Sequence, residues 1–450
     1  MRTFLGIDCS TQSVKAVAID AGGNVVARAG VAFPQPFIDG PDPLVRHADP
    51  RMWLAGVDAL LRKLRNDGFD MGSVAALGGD AQQHATVYLE QLDPPVFSRA
   101  TSPIWMDSST GAECRALDAA FGARLQRDTG SPAIERFAGP QILKFARREP
   151  EAYARTARIH LLSSFLTSWF AGEDAGVDVG DGAGMNLLNL RTLDWDRAVC
   201  DFLSPTLLAK LPPVVRPGTV YRLADRFAAY GLRPGIPVAP FTGDNPASLV
   251  GCGAAEPGVA VLSLGTSDTF FAAMADFRTD PAGYGHVFGN PCGGFMSLVC
   301  FKNGSLARER VKEMLDVDWT FFDETAFDLT APGNGGKRAL PWFEPEITPR
   351  CDETGLKANF DWDAASDAER VRAVVEGQMA NIAEHAAWIG KFDRIRLTGG
   401  ASRSRGIREA AARAFGAEVE PFDVVDSAAL GGALLARRLC EGTRSWADRR

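Results

Sequence analysis

The chain lacks the patterns that mark several common protein classes. Its eight cysteines, at positions 9, 114, 200, 252, 292, 300, 351 and 440, include no Cys-x-x-Cys pair, and its five histidines show no ligand spacing. Such scatter fits buried or free thiols in a reducing compartment and excludes a disulfide framework or a zinc site. Positive charge is not in excess: 48 Lys and Arg face 56 Asp and Glu, for a formal net charge of -8. That balance argues against general binding to nucleic acid or to an anionic membrane surface. No apolar run approaches the ~20 residues that span a bilayer. The apolar start of the chain is broken by Asp8 and does not read as a signal peptide. The phosphate-binding string Gly-x-x-x-x-Gly-Lys-Ser/Thr is missing, as is Gly-x-Gly-x-x-Gly after the first strand. A P-loop protein is thereby excluded and a dinucleotide fold disfavoured; the protein-kinase signatures are absent too. These absences predict a soluble, cytoplasmic protein with neither nucleic acid nor membrane as partner.

What is present is the composition of an ordinary globular enzyme, 46% hydrophobic and 23% charged over 450 residues. That length exceeds what one hydrophobic core serves, so two domains are expected. Two β-type runs at 3–7 and 14–19 flank the small polar turn Asp8-Cys-Ser-Thr-Gln12. Trp53, Val57, Leu60, Leu61 and Leu64 share one helical face and predict a helix over 52–64. The buried-strand run 74–77 enters Gly78-Gly-Asp-Ala-Gln-Gln-His84. A loop at a sheet's carboxyl edge is where α/β proteins place ligand groups. Residues 139–170 read as mainly helical, 178–184 as a glycine-rich loop and 185–195 as extended. The second half opens as the first does, with a strand at 259–264, the turn Gly265-Thr-Ser-Asp268 and a return strand at 269–274. Helices are predicted over 306–315, 368–388, 407–415 and 427–439, and a strand at 394–398 enters Gly399-Gly-Ala-Ser-Arg-Ser404.

The stretch Phe241-Thr-Gly-Asp-Asn-Pro-Ala-Ser-Leu-Val-Gly251 reads as an extended segment, a turn and a helix. Asp244 falls at or near the helix cap and Pro246 in its first turn. An isolated Asp there is more often a plain cap than a functional group. Turns at 6–11, 265–267 and 399–402 each follow a β-run and offer small residues with backbone N–H groups that a phosphate can approach. Each alone is weak, but two of them opening matched halves could clamp one polyphosphate. Phosphoryl transfer needs phosphate positioning, a magnesium site and an acceptor for the hydroxyl proton. Asp8 suits magnesium held through water, and Asp244 suits an acceptor hydroxyl. Lys15, on a strand, takes no role. Judged by type alone, Trp105 and Trp319 belong in a core.

Nearly end to end, the chain resembles the FGGY carbohydrate kinases, and within them the subgroup found in animals. The stretches that carry the resemblance are Gly6-Ile-Asp-Cys-Ser-Thr-Gln12, Gln82-Gln-His84, Pro103-Ile-Trp-Met-Asp-Ser-Ser-Thr110, Glu135-Arg-Phe137 and Gly184-Met-Asn-Leu-Leu188. Further on they are Phe241-Thr-Gly-Asp-Asn-Pro-Ala-Ser248, Ser263-Leu-Gly-Thr-Ser-Asp268, Phe301-Lys-Asn-Gly-Ser305 and Thr398-Gly-Gly-Ala-Ser402. The resemblance implies an α/β, actin-like ATPase fold: two ribonuclease-H-like domains with a cleft between them, at 1–245 for the sugar and 246–450 for the nucleotide. It implies ATP and Mg2+ as cofactors and a ketose, D-xylulose, as the acceptor. Asp244 is then the catalytic base on the 5-hydroxyl, and His84, Arg136, Asp244 and Asn245 bind sugar. Asp8 marks the magnesium site. Thr11, Gly265, Thr266, Ser267, Trp319, Gly399, Gly400 and Ser404 lie on the nucleotide side. The chain departs from the family at Ala85, where Gly is usual, and at Ser404, where Asn is usual. The same scaffold leaves open a kinase for another ketose or polyol such as D-ribulose, a non-catalytic sugar or nucleotide sensor, and a homodimer.

Overall fold

The computed structural model describes residues 2–38 and 40–442. The chain divides into two compact units. The first holds the residues up to Gly253, Val287–Phe295 and those from Asp426 onward; the second holds Ala254–His286 and Met296–Val425. The sequence reading places the division between 245 and 246, two residues into a helix, Asp244–Gly251, that lies wholly in the first unit.

The first unit is built on a twisted mixed sheet ordered Tyr221–Arg222, Pro237–Val238, Val74–Ala81, Thr3–Cys9, Ser13–Asp20 and Val25–Ala32. The opening strand pairs antiparallel with Ser13–Asp20 and parallel with Val74–Ala81. One face of the sheet carries the apolar side of the helix Pro50–Asn66, where Trp53, Val57, Leu60 and Leu61 are fully buried with Leu5, Ile7, Val14 and Leu77. The helix Ser427–Glu441 packs on the first two central strands so closely that only glycine fits: a Cβ at Gly6 would sit 1.9 Å from the Ala429 carbonyl oxygen. The same helix packs against Asp244–Gly251, where a Cβ at Gly431 would meet the Ala247 carbonyl oxygen at 2.0 Å. Small residues in 427–439 are therefore the condition for two helices and a sheet to share one seam.

The second unit repeats the central motif. Val259–Leu264 pairs antiparallel with Asp268–Met274 and parallel with Arg394–Gly399, which in turn pairs with Glu418–Pro421; Phe295–Phe301 lies beyond Asp268–Met274. The echo read from the two strand–turn–strand openings is thus an echo of topology. The long helix Asp367–Ala386 is started by a full capping box between Ser366 and Glu369.

Two segments differ from their sequence reading. Within 139–170, Arg158–Leu161 is a strand, paired antiparallel with Thr86–Gln91. Its Ile159 and Leu161 are buried on a sheet partner that local periodicity does not reveal. Residues 178–184 are not a loop: Val179–Gly182 is a short helix followed by a 3-10 turn, Ala183–Met185. Asp178 caps it by accepting the Gly180 N–H at 2.8 Å, which outweighs the poor helix propensity of its glycines. All eight cysteines are free thiols, and no helix among the described residues is long and apolar enough to cross a membrane.

The tight seam gives the first expected outcome. Gly431→Ala forces the two helices apart and destabilises the first unit by about 3 kcal/mol, the upper part of the usual overpacking range. Urea unfolding followed by circular dichroism measures it as a lowered midpoint.

Candidate active site

The sheet order of the first unit brings acidic side chains to one edge. Asp8 and Asp80 are register partners near the carboxyl ends of the parallel strands Thr3–Cys9 and Val74–Ala81, and Thr242 pairs with Asp80 on its other side. The chain then turns at Gly243 into the helix headed by Asp244. Gly243, not Asp244, is the capping residue, and Asp244 is the first helical position. Its Oδ1 accepts the Asn245 backbone N–H at 2.9 Å and Asn245 Nδ2 at 3.2 Å, at the positive end of the helix. Asp181, on the short helix begun at Asp178, accepts the Ser163 hydroxyl at 2.5 Å.

Crowding and burial set the charges. The Asp244 carboxyl is pushed up to about 7, by desolvation first and then by the Asp8 charge, against backbone N–H groups that favour its ionised form. Asp178 is raised to about 6 by burial, with the Thr242 hydroxyl and backbone donors opposing. Asp8 is raised by burial, opposed first by the Ser10 hydroxyl, which lies 2.9 Å from each of its carboxylate oxygens. Asp80 and Asp181 are driven well above the usual carboxylate range, by burial foremost and by their acidic neighbours.

Beside this edge lies a polar shelf. His84 adopts a left-handed backbone, φ 70°, after the strand Val74–Ala81 and stacks on Phe137 at 4.3 Å between ring centroids. Its Nδ1 lies 2.9 Å from the Gly184 carbonyl oxygen. A carbonyl only accepts, so Nδ1 carries a proton and donates it to Gly184. Asn245 Nδ2 donates to Gln83 Oε1 at 2.8 Å, tying the Asp244 helix to the loop that holds His84. Arg136, half-buried next to Phe137, has no hydrogen-bond or ion-pair partner among the described residues. Thr11 donates to Gln82 Oε1 at 3.3 Å and accepts the Trp105 indole N–H at 2.8 Å. The string 103–110 is anchored by buried Asp107, which takes Gln141 Nε2 at 2.8 Å and the Ser109 N–H at 3.0 Å.

The second unit has its own cavity of about 440 Å³, lined in part by Gly265, Thr266, Arg308, Trp319, Asp323 and Gly400. Gly399 turns the chain with φ 89°, and a Cβ there would meet the Leu264 carbonyl oxygen at 2.3 Å, so only glycine serves. Ser404 caps the helix Arg405–Phe415 by accepting the Ile407 N–H. It reaches the cavity through Asp323, whose carboxyl is raised by burial and steadied by the Ser404 hydroxyl. Ser267 donates weakly to the Lys302 carbonyl at 3.4 Å, and Ser305 N–H holds the Gly265 carbonyl at 2.8 Å. Trp105 and Trp319 are 45% and 46% exposed, so neither is the core residue its type suggests.

The structure therefore brings Asp8, Thr11, His84, Asp244 and Asn245 into one connected network with Arg136 beside it. It brings Gly265, Thr266, Trp319 and Gly400 around one cavity, while Ser267, Gly399 and Ser404 are not in its lining: Ser267 and Gly399 adjoin lining residues in the chain, and Ser404 bonds to the lining residue Asp323. Sequence reading passed over Asp80, Asp181, Gln83 and Asp323. The signal for Asp80 was a carboxylate inside an otherwise apolar and glycine-rich strand end. Among the described residues no group of three or more His, Cys, Asp or Glu is arranged to chelate a metal by itself. Asp8 fits magnesium all the same, since magnesium keeps several waters and takes one or two carboxylates with substrate phosphates.

Residues 3–251 match the N-terminal domain, and residues 260–440 the C-terminal domain, of the FGGY family of carbohydrate kinases. The chain belongs to that family. Among the relatives of this FGGY kinase are a protein named xylulose kinase from Rattus norvegicus, 39% identical over 97% of this chain and 88% of that protein, and xylulose kinase 2 from Arabidopsis thaliana, 34% identical over 96% and 86%. Solved structures of a xylulose kinase from Rhodospirillum rubrum (TM-score 0.87, 21% identity, 99% of this chain and 92% of that one) and a glycerol kinase from Plasmodium falciparum (TM-score 0.85, 18% identity, 99% and 91%) share its fold. That fold is the actin-like one expected, with ribonuclease-H-like domains.

One ion pair braces the FGGY kinase's second-unit turn. Arg308 grips Asp268 with two bonds of 2.7 and 2.9 Å, and both side chains are only 2% exposed. Arg308→Met leaves a buried carboxylate unpaired and costs about 3–5 kcal/mol; adding Asp268→Asn returns much of it. Chemical denaturation of the single and double variants measures the difference.

Proposed function

We propose that this FGGY kinase phosphorylates D-xylulose at its 5-hydroxyl with ATP, yielding D-xylulose 5-phosphate and ADP. The observation that carries the substrate is the 39% identity, over 97% of the chain, to a relative named xylulose kinase. Asp244 acts as general base. It heads a helix, is held by the Asn245 N–H, and sits with its pKa about 7, where a base can both exist ionised and accept a proton. His84 Nε2, Arg136 and Asn245 read the sugar hydroxyls. A mismatched hydroxyl leaves such buried polar groups unpaired, which is how this kind of site rejects wrong stereochemistry. The turns at 265–267 and 399–400 and the Trp319 wall receive the nucleotide in the second unit's cavity. Asp8 would hold magnesium, which would neutralise charge on the transferring phosphoryl group.

Three outcomes are expected. Asp244→Ala lowers kcat by roughly 10²–10⁴-fold, the range of general-base help, while D-xylulose still quenches intrinsic fluorescence. Turnover near the wild-type level removes Asp244 as base. The ionised base is lost as pH falls through its raised pKa of about 7, so kcat/KM, which reports the free enzyme, falls tenfold per pH unit below that value and levels above it. A coupled ADP-release assay over a panel of sugars tests the substrate: D-xylulose shows the highest kcat/KM, and a much higher value for D-ribulose or a polyol overturns the assignment.

A further inference from the structure

Asp80 stands apart from every carboxylate around it. Its side chain is fully buried, and neither carboxylate oxygen takes a bond from an amide, hydroxyl or cationic donor among the described residues; the side-chain partner it has is the Asp8 carboxyl, and two such acids can be held together only by a shared proton or a cation. Each neighbour keeps donors of its own: Ser10 on Asp8, Ser163 on Asp181, the Asn245 N–H on Asp244, and Thr242 with the Gly180 N–H on Asp178. Among the described residues no cation forms an ion pair with Asp80. Lys15, which faces Asp8 across the opening hairpin, pairs with Asp426 at 3.1 Å and acts on Asp8 through its charge alone. A carboxyl removed from water without partners is unfavourable, and an alanine would occupy the place with no such cost. Asp80 is aimed at a definite place: it is the direct register partner of Asp8, on the adjacent parallel strand, so the two side chains project to the same side of the sheet.

We infer that Asp80 is a second carboxylate of the divalent-cation site marked by Asp8, so that a cation binds the first unit before any nucleotide does. The inference rests on the assignment of Asp8 to the cation site under the kinase reading. Two carboxylates on neighbouring strands with a mobile water shell suit a hard cation such as Mg2+ or Mn2+, which takes oxygen ligands only. Most sites for nucleotide-bound magnesium depend on the phosphates for part of their ligand set. A second fixed carboxylate lessens that dependence.

Titration of the full chain with Mn2+ alone, followed by electron paramagnetic resonance, tests this without turnover. The wild type binds one Mn2+ in the absence of nucleotide, Mg2+ displaces it, and Asp80→Asn and Asp80→Ala weaken it at least tenfold. Asn keeps the shape and an N–H donor toward Asp8, so an Asp80→Asn variant with wild-type Mn2+ affinity shows that Asp80 serves only as a hydrogen-bond partner, and overturns the proposal. Absence of nucleotide-free Mn2+ binding in the wild type overturns it too. Failure of both variants to fold, read by circular dichroism, assigns the carboxyl a structural role and equally defeats it. Sugar-dependent ADP release at saturating Mg2+ is measured alongside: its absence with the Mn2+ site intact counts against the kinase reading alone.

Discussion

Mutual repulsion among buried carboxylates governs the first unit. Asp80, Asp181 and Asp244 each feel at least one other acid of the group Asp8, Asp178, Asp181 and Asp244 as an unfavourable charge, on top of their own desolvation, and Asp8 feels Asp426. Like charges in a poorly solvated place raise one another's affinity for protons, or for a cation. On the kinase reading the raised Asp244 carboxyl is the useful consequence: an ordinary carboxylate is a weak base at neutral pH, whereas one near 7 is matched to proton acceptance. The less comfortable consequence is Asp80, to which no amide, hydroxyl or cationic group among the described residues donates.

Such crowding survives only on a rigid frame. The glycine contacts between Ser427–Glu441, the central strands and Asp244–Gly251 lock the helix headed by Asp244 against the sheet that carries Asp8 and Asp80. The helix is tied a second time through Asn245 to Gln83, and His84 is fixed by Phe137 and Gly184. Because the same backbone approach sets both the seam and the spacing of the acids, packing and electrostatics there are one constraint.

Much of this was legible in the chain. The two strand–turn–strand openings, the helix over 52–64 and the Asp244 turn were visible because their signals are local: period-two and period-3.6 patterns, small polar turns, a proline in a first turn. What escaped was non-local. The strand Arg158–Leu161 is defined by its partner Thr86–Gln91, and the short helix after Asp178 by a single cap in a glycine-rich string. Asp80 was invisible as a site residue because its significance lies in which residue stands beside it on the next strand and in the donors it lacks. Asp323 matters through Ser404, eighty-one positions away. Trp319 escaped its type for a related reason: exposure follows from where its helix turn lies, not from the indole.

The two units treat their acids differently. In the second, Asp268 is neutralised by Arg308 and Asp323 is steadied by Ser404, so each carboxylate has an internal answer. That unit presents to its cavity, beside larger side chains such as Trp319 and Phe322, the small residues Gly265, Thr266 and Gly400, where backbone N–H groups can meet an anion. In the first unit Asp8, Asp80, Asp181 and Asp244 form no ion pair among the described residues, and Lys15 acts on Asp8 only through its charge while pairing with Asp426. On the kinase reading these are complementary demands. A polyphosphate calls for donors and low negative charge, while a metal and a hydroxyl proton call for carboxylates that nothing else has already satisfied.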